Sequence, residues 1–311
     1  MAQYSKLQEK DILGILSEYE LDLLGYEPIE QGVGSSNYFV RANRQQYVLT
    51  VFEIDHNRVV NICKLLRLLE EVEFPTARIQ KLANGDALTS FQGKPVMLKP
   101  YIPGQVIKHL DENMVGQVGG VMARLHKIPS PDYLPDEHIY GLETFPHLLE
   151  IGIDHAYEDW LAQKYELLRQ KIPSGLPRGL IHGDVFWDNV LFEGKIFKAL
   201  IDFEEPCHYY KVFDLGMAVV GLCTEDPRVR LRKVRSLVEG YQSIRVLEES
   251  EKETLQLFVE YAAIATSSWR YWKYNIDTPT PEKSDVHYEM VNIATNAGAI
   301  PKAEFMNTVF T

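Results

Sequence analysis

The chain has 311 residues, of which 45% are hydrophobic and 24% charged, and its formal net charge is -12. Its length allows two compact domains, and its composition excludes a mainly disordered, fibrous or disulfide-stabilised protein. The acidic excess repels polyanions, so we expect no nucleic-acid partner. A small anion such as a nucleotide remains compatible with this charge, because a glycine-rich loop and metal ions hold phosphate locally.

The cysteines and the apolar stretches bear on the cellular compartment. Cys63, Cys207 and Cys223 are odd in number and show no C-x-x-C spacing, which indicates neither a disulfide framework nor a thiolate zinc site. The first 20 residues lack the apolar segment and cleavage site of a signal peptide. The most apolar stretch, LGMAVVGLC, spans nine residues, where a membrane helix needs about 20. We therefore expect a soluble, cytoplasmic protein without a membrane partner, and the sequence leaves its oligomeric state open.

Residues 1–102 are predicted to form a first domain built on a small antiparallel sheet. A short helix is expected over residues 6–19, and strands are expected at the runs YFVRA, QYVLTVFE and KPVMLKPYI. Between the last two runs, the apolar residues of 57–72 recur at helical spacing. The Pro-Gly segment YIPGQ then indicates a turn and a connection to a second domain.

Residues 103–311 are predicted to form a second, mostly helical domain. Asp111 is placed to cap a helix that carries an apolar stripe and three glycines for close packing. Short strands are expected between Gly179 and Phe203. Further helices are predicted over residues 145–170, 212–222, 228–241 and 248–272, with a closing helix at EMVNIATNAG. The predicted class is α+β, with a small antiparallel-sheet N-lobe and a larger, mostly helical C-lobe.

The strongest functional pattern is LIHGDVFWDNVLF followed by ALIDFEEP. Asp184 and Asn189 lie five positions apart on a loop between two apolar runs, and Asp202 ends the next apolar run. Phosphoryl transfer needs these groups: one Asp accepts the proton of a hydroxyl, while an Asn and a second Asp hold Mg²⁺ on the phosphates. Taken singly, Asp184 could cap a turn and Asp202 could end a strand. Together they predict an ATP- and Mg²⁺-dependent kinase.

A second pattern, EQGVGSSNYFV, lies in the first domain. Gly32 and Gly34 would let backbone N–H groups approach phosphate oxygens, and the hydroxyls of Ser35 and Ser36 would add donors. The alternative is an ordinary Gly-Ser hairpin turn, because the stretch matches neither G-x-G-x-x-G nor the Walker pattern. Its position ahead of the other motifs favours phosphate binding.

In order, the glycine turn, YVLTVFE, VMARLH, HGDVFWDN, LIDFEEP and FDLGMAV resemble the aminoglycoside phosphotransferase and choline kinase superfamily. Within it, NYFV, QYVLTVFE and a late RYW are most similar to type II homoserine kinases, over about residues 25–275. The resemblance implies a two-lobed protein-kinase-like fold. It also implies that Asp184 is the catalytic base, that Asn189 and Asp202 bind magnesium, and that His182 and Asp214 support the loop that carries the base.

The resemblance also implies where ATP binds. Most members of the superfamily carry Lys or Arg on the third strand, where this chain has Thr50, as type II homoserine kinases do. We expect Lys64 to supply the missing cation, the alternative being an ordinary surface lysine. Adenine is expected at the lobe connection, against backbone groups of Met97, Lys99 and Tyr101.

Homoserine as the acceptor would need an acid for its ammonium and a cation for its carboxylate. Glu204 and Arg270 are the candidates, with Trp187 and Trp272 as further substrate-binding residues. After RYW, however, Lys273 and Tyr274 replace the small residue and the arginine typical of homoserine kinases. A choline, aminoglycoside or hydroxylysine acceptor therefore stays open, since aromatic side chains bind cations.

Two other functional classes are less consistent with the sequence. A kinase-fold regulator without turnover would not need Asp184, Asn189 and Asp202 together. A protein kinase would need a longer activation segment than the stretch from Asp202 to Asp214. The expected partners are therefore ATP and a small-molecule hydroxyl substrate.

Overall fold

A computed structural model describes residues 5–29 and 34–311 of the chain. These residues form two compact units. The first, called the sheet unit, comprises the chain up to Gly104 together with Lys198–Glu204, and the second, called the helical unit, comprises Gln105–Phe197 and Glu205–Thr311. The segment Lys198–Glu204, which contains Asp202, thus groups with the N-terminal part of the chain, which the predicted lobes 1–102 and 103–311 did not anticipate. In the described ranges, no helix has the length and apolarity needed to cross a membrane.

The sheet unit contains two helices and five strands among its described residues up to Gly104. In chain order these are α1 (Glu9–Ser17), β1 (Leu23–Ile29), β2 (Ser35–Ala42), β3 (Gln45–Phe52), α2 (His56–Glu71), β4 (Thr89–Phe91) and β5 (Lys94–Pro100). The helices predicted over residues 6–19 and 57–72 and the three predicted strands are confirmed. Strands β1 and β4 were not predicted.

The five strands form one antiparallel sheet in the order β1-β2-β3-β5-β4. Strands β2 and β3 are joined by a two-residue turn in which Asn43 and Arg44 both have positive φ, the geometry of a tight hairpin. One face of the sheet packs with α1 around a core that includes Val40, Leu49 and Val96. Alternate residues of β2, β3 and β5 therefore lie on the other face.

The helical unit contains most of the helices. It includes β6 (Gln105–Val106), α3 (Glu112–Lys127), α4 (His155–Lys171), β7 (Arg178–Ile181), β8 (Val190–Glu193), β10 (Cys207–Tyr210), α5 (Lys211–Leu222), β11 (Thr224–Glu225), β12 (Arg228–Val229), α6 (Leu231–Gln242), α7 (Glu249–Trp272), α8 (His287–Ala299) and α9 (Lys302–Phe310). Strand β9 (Ile196–Leu200) starts in this unit, and its last residues belong to the sheet unit. The helical unit also contains two short 3-10 turns and one π-helical turn. The 3-10 turns are Leu142–Leu148 and Trp187–Asn189, and the π-helical turn is Lys273–Asp277.

Helices α3 and α6 pack closely through glycines, as the sequence predicted for α3. Asp111 caps α3 by accepting a hydrogen bond from the backbone N–H of Met114 at 3.0 Å. A Cβ added at Gly240 on α6 would overlap the carbonyl group of Gly116, and one at Gly119 would overlap the carbonyl of Leu237. These contacts leave no room for a side chain, so the two backbones touch directly.

Two predicted helices differ from those observed. The helix predicted over residues 145–170 is interrupted: a 3-10 turn ends at Leu148, and α4 starts at His155 after Gly152, whose φ is +78°. A left-handed residue cannot continue a right-handed helix, which explains the break. The helix predicted over residues 228–241 starts at Leu231, because Arg228–Val229 pairs as a short strand with Thr224–Glu225. The predicted closing helix is confirmed as α8, and α9 was not predicted.

Candidate active site

The loop 182–189, called the catalytic loop, connects β7 to β8 in the helical unit. Strand β7 pairs antiparallel with β10, which fixes the start of the loop. Gly183 has a φ of +87°, and a Cβ built there would lie 2.7 Å from the carbonyl oxygen of Glu205. Only glycine fits this position, so the HGD sequence sets the direction in which Asp184 leaves the strand.

A buried carboxylate and a buried histidine support the catalytic loop. Asp214 on α5 accepts hydrogen bonds from the backbone N–H groups of Gly183 at 2.8 Å and His182 at 3.1 Å. His126 at the end of α3 lies between Asp214, at 3.0 Å, and the hydroxyl of Tyr241, at 2.7 Å. The resemblance predicted support by Asp214, whereas no role was expected for His126 or Tyr241.

Burial shifts the pKa values of the two ionisable groups in this network, His126 and Asp214. Burial lowers the pKa of the His126 imidazole, and the bond to Asp214 opposes that effect without reversing it. Burial alone would raise the pKa of Asp214, but the hydrogen bonds and charges of its neighbours, His126 foremost, hold it below its ordinary value. The favoured state is therefore an ionised Asp214 beside a neutral His126.

Asp184 and Asn189 are joined by two hydrogen bonds. The side-chain Nδ2 of Asn189 donates to the backbone carbonyl of Asp184 at 2.9 Å and to its carboxylate at 3.0 Å. The backbone N–H of Asp184 in turn donates to Nδ1 of His182 at 3.2 Å. Because the Asn189 nitrogen faces Asp184, its amide oxygen is the atom left to bind a cation. The structure thus brings three predicted residues together on one loop.

Tyr140 is a neighbour of Asp184 that the sequence did not reveal. Its buried hydroxyl donates a hydrogen bond to the carbonyl oxygen of Gly183 at 3.3 Å and is also in hydrogen-bond contact with the Asp184 carboxylate. Burial, together with the charges of Asp184 and Glu205, raises the pKa of this phenol well above its ordinary value. Tyr140 therefore stays protonated and is a hydrogen-bond donor next to the carboxylate. It lies in a loop without hydrophobic periodicity, so no sequence pattern pointed to it.

The described part of the glycine turn lies at the start of β2 in the sheet unit. Gly34 has a φ of +103°, a left-handed conformation that glycine tolerates. The hydroxyl of Ser35 donates to Glu204 at 2.8 Å, and that of Ser36 donates to Glu53 at 3.0 Å. Gly32, also predicted to bind phosphate, lies outside the described residues.

Asp202 and Glu204 lie in the segment Lys198–Glu204 of the sheet unit. Asp202 has a φ of +69°, unusual for a residue with a side chain and frequent at functional sites. The segment is held by Arg58, which donates to the carbonyl of Glu204 at 2.8 Å, and by an edge-to-face contact between Phe203 and Phe74.

The Glu204 carboxylate is partly buried and lies beside a second acid. Burial and the charge of Asp202 raise the pKa of Glu204 to about 7, while the Ser35 hydrogen bond and the charges of Lys99 and Arg58 oppose the rise. Two carboxylates close together favour a cation between or beside them. Glu204 was predicted to bind the substrate ammonium, and its observed hydrogen bond is to the glycine turn.

The sheet face opposite the α1 core carries the predicted nucleotide residues. Thr50 is fully buried, donates its hydroxyl to Asn37 at 2.7 Å, and is paired with Met97 across β3 and β5. Tyr101, just after β5, contacts Phe39 edge to face with ring centroids 5.8 Å apart. These two aromatic rings line a cavity of about 410 Å³ in the sheet unit. Lys64 lies on α2 with an exposed side chain.

The contacts of Arg270, Trp272 and Trp187 do not link these predicted acceptor residues of the helical unit to one another. Arg270 donates to Glu289 at 2.6 Å and to a backbone carbonyl that precedes α8. Trp272 is 37% exposed, and Trp187 lies under the ammonium group of Lys108 at 6.0 Å. The roles predicted for Arg270, Trp272 and Trp187 stay predictions.

An aromatic series starts at the catalytic loop. The ring of Tyr140 lies 6.2 Å from that of Trp269, which lies 6.3 Å from the ring of Tyr274. Tyr274 belongs to the π-helical turn Lys273–Asp277, a geometry that often occurs at functional sites. Because Tyr140 contacts Asp184, the series extends from the neighbourhood of Asp184 to this π-helical turn.

The oxygen donors present fit magnesium better than a softer metal. Among the described residues, no group of three His, Cys, Asp or Glu side chains is placed to hold a metal ion. The amide oxygen of Asn189 in the helical unit and the carboxylates of Asp202 and Glu204 in the sheet unit are hard donors, the kind that Mg²⁺ prefers. Mg²⁺ typically takes few protein ligands and completes its shell with phosphate and water.

Comparison with known proteins identifies the family. Residues 25–247 match the family model described as the phosphotransferase enzyme family, which is more than half of the chain. The chain belongs to this family. The phosphotransferase is 27% identical to the homoserine kinase of Phenylobacterium zucineum over 274 residues, and 28% identical to that of Bartonella tribocorum over 275 residues. Each alignment covers 85% of this chain, and 85% and 86% of the two relatives.

Solved structures share the fold of this phosphotransferase at low sequence identity. A microcompartment-associated aminopropanol kinase aligns with a TM-score of 0.75 and 16% identity over 97% of this chain and 100% of its own. A spectinomycin phosphotransferase in complex with ADP and spectinomycin gives 0.69 and 17%, over 95% and 99%. A choline kinase from Streptococcus pneumoniae gives 0.68 and 16%, over 92% and 99%. The predicted kinase-like α+β fold and the family resemblance are confirmed, and the chain is a small-molecule phosphotransferase.

Proposed function

We propose that this chain is an ATP-dependent kinase that phosphorylates the side-chain hydroxyl of homoserine. The observation that carries the proposal is the pairing of Asp184 with Asn189 on the catalytic loop, where a carboxylate and an amide oxygen are fixed side by side. Family membership supplies the reaction class. The choice of homoserine is supported by curated relatives of that name that align over most of their length.

In the proposed reaction, the acceptor oxygen forms a bond to the γ-phosphorus as the bond from that phosphorus to the β–γ bridging oxygen breaks, which releases ADP. Asp184 orients the acceptor hydroxyl and takes its proton, while Tyr140 and Asn189 hold the carboxylate in place. Asn189 and Asp202 are proposed to bind Mg²⁺, which neutralises charge on the phosphates. His182 and Asp214 fix the backbone from which Asp184 projects.

The sheet unit is proposed to bind ATP. Backbone N–H groups of the turn at Gly34 and the hydroxyls of Ser35 and Ser36 would contact phosphate, and Gly32 is retained in this role from the sequence pattern. Thr50 lies on the sheet face opposite the α1 core, as Ser35 does, whereas Ser36 is paired with Val51 of the core face. Adenine is proposed to bind against backbone groups of Met97, Lys99 and Tyr101. The cavity lined by the rings of Phe39 and Tyr101 borders this segment at Tyr101.

The amino-acid acceptor is proposed to use Glu204 for its ammonium and Arg270 for its carboxylate, with Trp187 and Trp272 near it. A choline-like acceptor is the second candidate, and the aromatic series of Tyr140, Trp269 and Tyr274 favours it. The discriminating property is the carboxylate: homoserine carries one, and choline does not.

A coupled assay of ADP release tests the proposal. We expect turnover with homoserine and Mg-ATP that exceeds turnover with choline, hydroxylysine and aminoglycosides. Faster turnover with choline than with homoserine would support the second candidate. No ADP release with any acceptor would indicate a regulator and contradict the proposal.

The variant Asp184→Asn tests the proposed role of Asp184 as the general base. The variant should still bind ATP, while kcat falls by about 10² or more, the usual contribution of a general base. The fluorescence or calorimetric signal of ATP binding serves as the control for folding. Unchanged turnover would remove Asp184 from the mechanism.

A further inference from the structure

The strand position expected to carry a cation for the nucleotide phosphates is occupied by Thr50. Its hydroxyl is already used in a hydrogen bond to Asn37 at 2.7 Å. Phosphoryl transfer nevertheless depends on positive charge at the phosphates, because positioning and charge neutralisation supply most of its catalysis. Another side chain of the sheet unit should therefore provide that charge.

The register of the sheet places Lys99 on the same face as Thr50. Thr50 is opposite Met97, and Val48 is opposite Lys99, across the antiparallel pair β3–β5. Directly opposed residues share a face, and so do residues two positions apart along one strand. The intervening residues of both strands lie in the core with α1. Lys99 is thus the diagonal neighbour of Thr50 on the nucleotide face.

The ammonium group of Lys99 is not neutralised by a neighbouring acid. Across the described stretches 5–29 and 34–311, Lys99 forms no ion pair and donates no side-chain hydrogen bond. Its charge still opposes the rise in pKa that burial causes at Cys63 on α2 and at Glu204. Glu204 accepts a hydrogen bond from Ser35, so Lys99 lies within electrostatic reach of the phosphate-binding end of the sheet.

Three other cations of the sheet unit are less suited to the role. The guanidinium of Arg58 donates to the backbone carbonyl of Glu204 at 2.8 Å. Lys94 pairs with Glu53. Lys64, which the sequence favoured, has an exposed side chain on α2. Among these four described cations, Lys99 has both a place on the nucleotide face and no direct ion pair. Arg41 also lies on this face, but the register places it opposite Gln46, four positions along β3 from Thr50.

We propose that the side chain of Lys99 binds the α- and β-phosphates of ATP in place of the lysine or arginine that β3 lacks. This inference rests on the proposed use of ATP as phosphoryl donor. It gives a side-chain role to a residue that was expected only to border adenine through its backbone. Neighbouring strands lie about 4.8 Å apart, so the flexible stem of a lysine spans the distance from β5 to the position above β3.

Calorimetric titration of the full-length chain with Mg-ATP and with adenosine, which has no phosphates, tests the inference through binding rather than turnover. Lys99→Met should weaken ATP binding by about 10- to 100-fold, the range for one hydrogen bond to a charged group, and leave adenosine binding unchanged. Lys99→Arg should recover most of the ATP affinity. Lys81→Met, which removes an exposed lysine of the same unit, is the charge-matched control and should bind ATP as the wild type does.

The outcomes separate this inference from the proposed function. If Lys64→Met loses ATP affinity and Lys99→Met does not, the cation is Lys64 and the inference is wrong. If Lys99→Met weakens ATP and adenosine equally, Lys99 is structural and the inference is also wrong. A wild-type chain that binds adenosine and ATP equally would refute phosphate recognition, whereas one that binds ATP tightly but phosphorylates no acceptor would refute only the proposed function.

Discussion

Replacement of Tyr140 by phenylalanine tests whether a residue outside the sequence motifs positions the catalytic base. The hydroxyl of Tyr140 is buried and hydrogen-bonds the carboxylate of Asp184. Phenylalanine keeps the ring that packs against His138 and Trp269, with centroids 4.2 and 6.2 Å away. The substitution therefore removes the contacts of the hydroxyl with the Asp184 carboxylate and with the Gly183 carbonyl and keeps the packing of the ring.

The expected loss of activity follows mainly from the contact with the charged carboxylate, since the other acceptor is a neutral carbonyl. A hydrogen bond to a charged group contributes about 1.5–3 kcal/mol, and about 1.4 kcal/mol corresponds to a tenfold change in rate. Asp184 is only partly buried, so water replaces some of the lost interaction. We expect kcat to fall by roughly 10- to 30-fold, at the lower end of that range, with the KM for ATP unchanged.

The pH dependence of kcat distinguishes positioning from loss of structure. A donor to a carboxylate stabilises its ionised form, and a base must be ionised to accept a proton. Loss of the Tyr140 hydroxyl removes that stabilisation of the ionised base. The acid limb of the kcat profile should therefore move to higher pH in Tyr140→Phe.

Tyr271→Phe is a matched control in the same unit. The buried hydroxyl of Tyr271 also donates to a carboxylate, that of Glu158, at 2.5 Å. This variant should lose stability and keep the pH profile of the wild type. If Tyr140→Phe also keeps that profile, or if its kcat stays within about twofold of the wild type, Tyr140 does not position Asp184.

Two further predictions concern stability. Burial holds the pKa of His126 below its ordinary value of 6.5. The unfolded chain therefore binds a proton that the folded chain does not, and stability falls as the pH drops below about 6.5. His126→Gln should lower the Tm at pH 7.5, but its Tm should fall less than that of the wild type between pH 7.5 and pH 5, and an equal fall in both proteins would contradict this. Gly240→Ala should destabilise the chain by about 1–3 kcal/mol in urea unfolding, because its Cβ would overlap the Gly116 carbonyl. Gly14→Ala on α1, with nothing within 4 Å of the new Cβ, should not destabilise it. Equal urea midpoints for the two variants would show that α3 and α6 can move apart.

The sequence predicted the secondary structure well where hydrophobic period and turn residues agree. The strands β2, β3 and β5 and the helices α2, α3 and α7 follow directly from apolar spacing. It failed where tertiary context overrides local pattern. Gly152 interrupts an otherwise helical stretch, and Arg228–Val229 is drawn into a short strand by its pairing with Thr224–Glu225.

The sequence motifs predicted which residues of the catalytic loop lie close together. Asp184 lies next to Asn189, and Asp214 accepts hydrogen bonds from the catalytic loop, as the HGD-x4-N and FDLG motifs led us to expect. The base and metal-binding roles of these residues stay predictions. Tyr140 and His126 could not be found, since each reaches the loop through folding rather than through sequence proximity. The placement of Lys99 beside Thr50 depends on strand register, which a single sequence does not specify.

The central claim is that this chain moves the γ-phosphoryl group of ATP to the hydroxyl of homoserine. Phosphorus NMR of the purified protein with homoserine, ATP and Mg²⁺ observes that transfer directly. We predict a new phosphomonoester resonance that grows in step with ADP, and no such resonance when Asp184→Asn replaces the wild type. ATP that stays intact, or ADP that accumulates with free inorganic phosphate alone, would contradict the account.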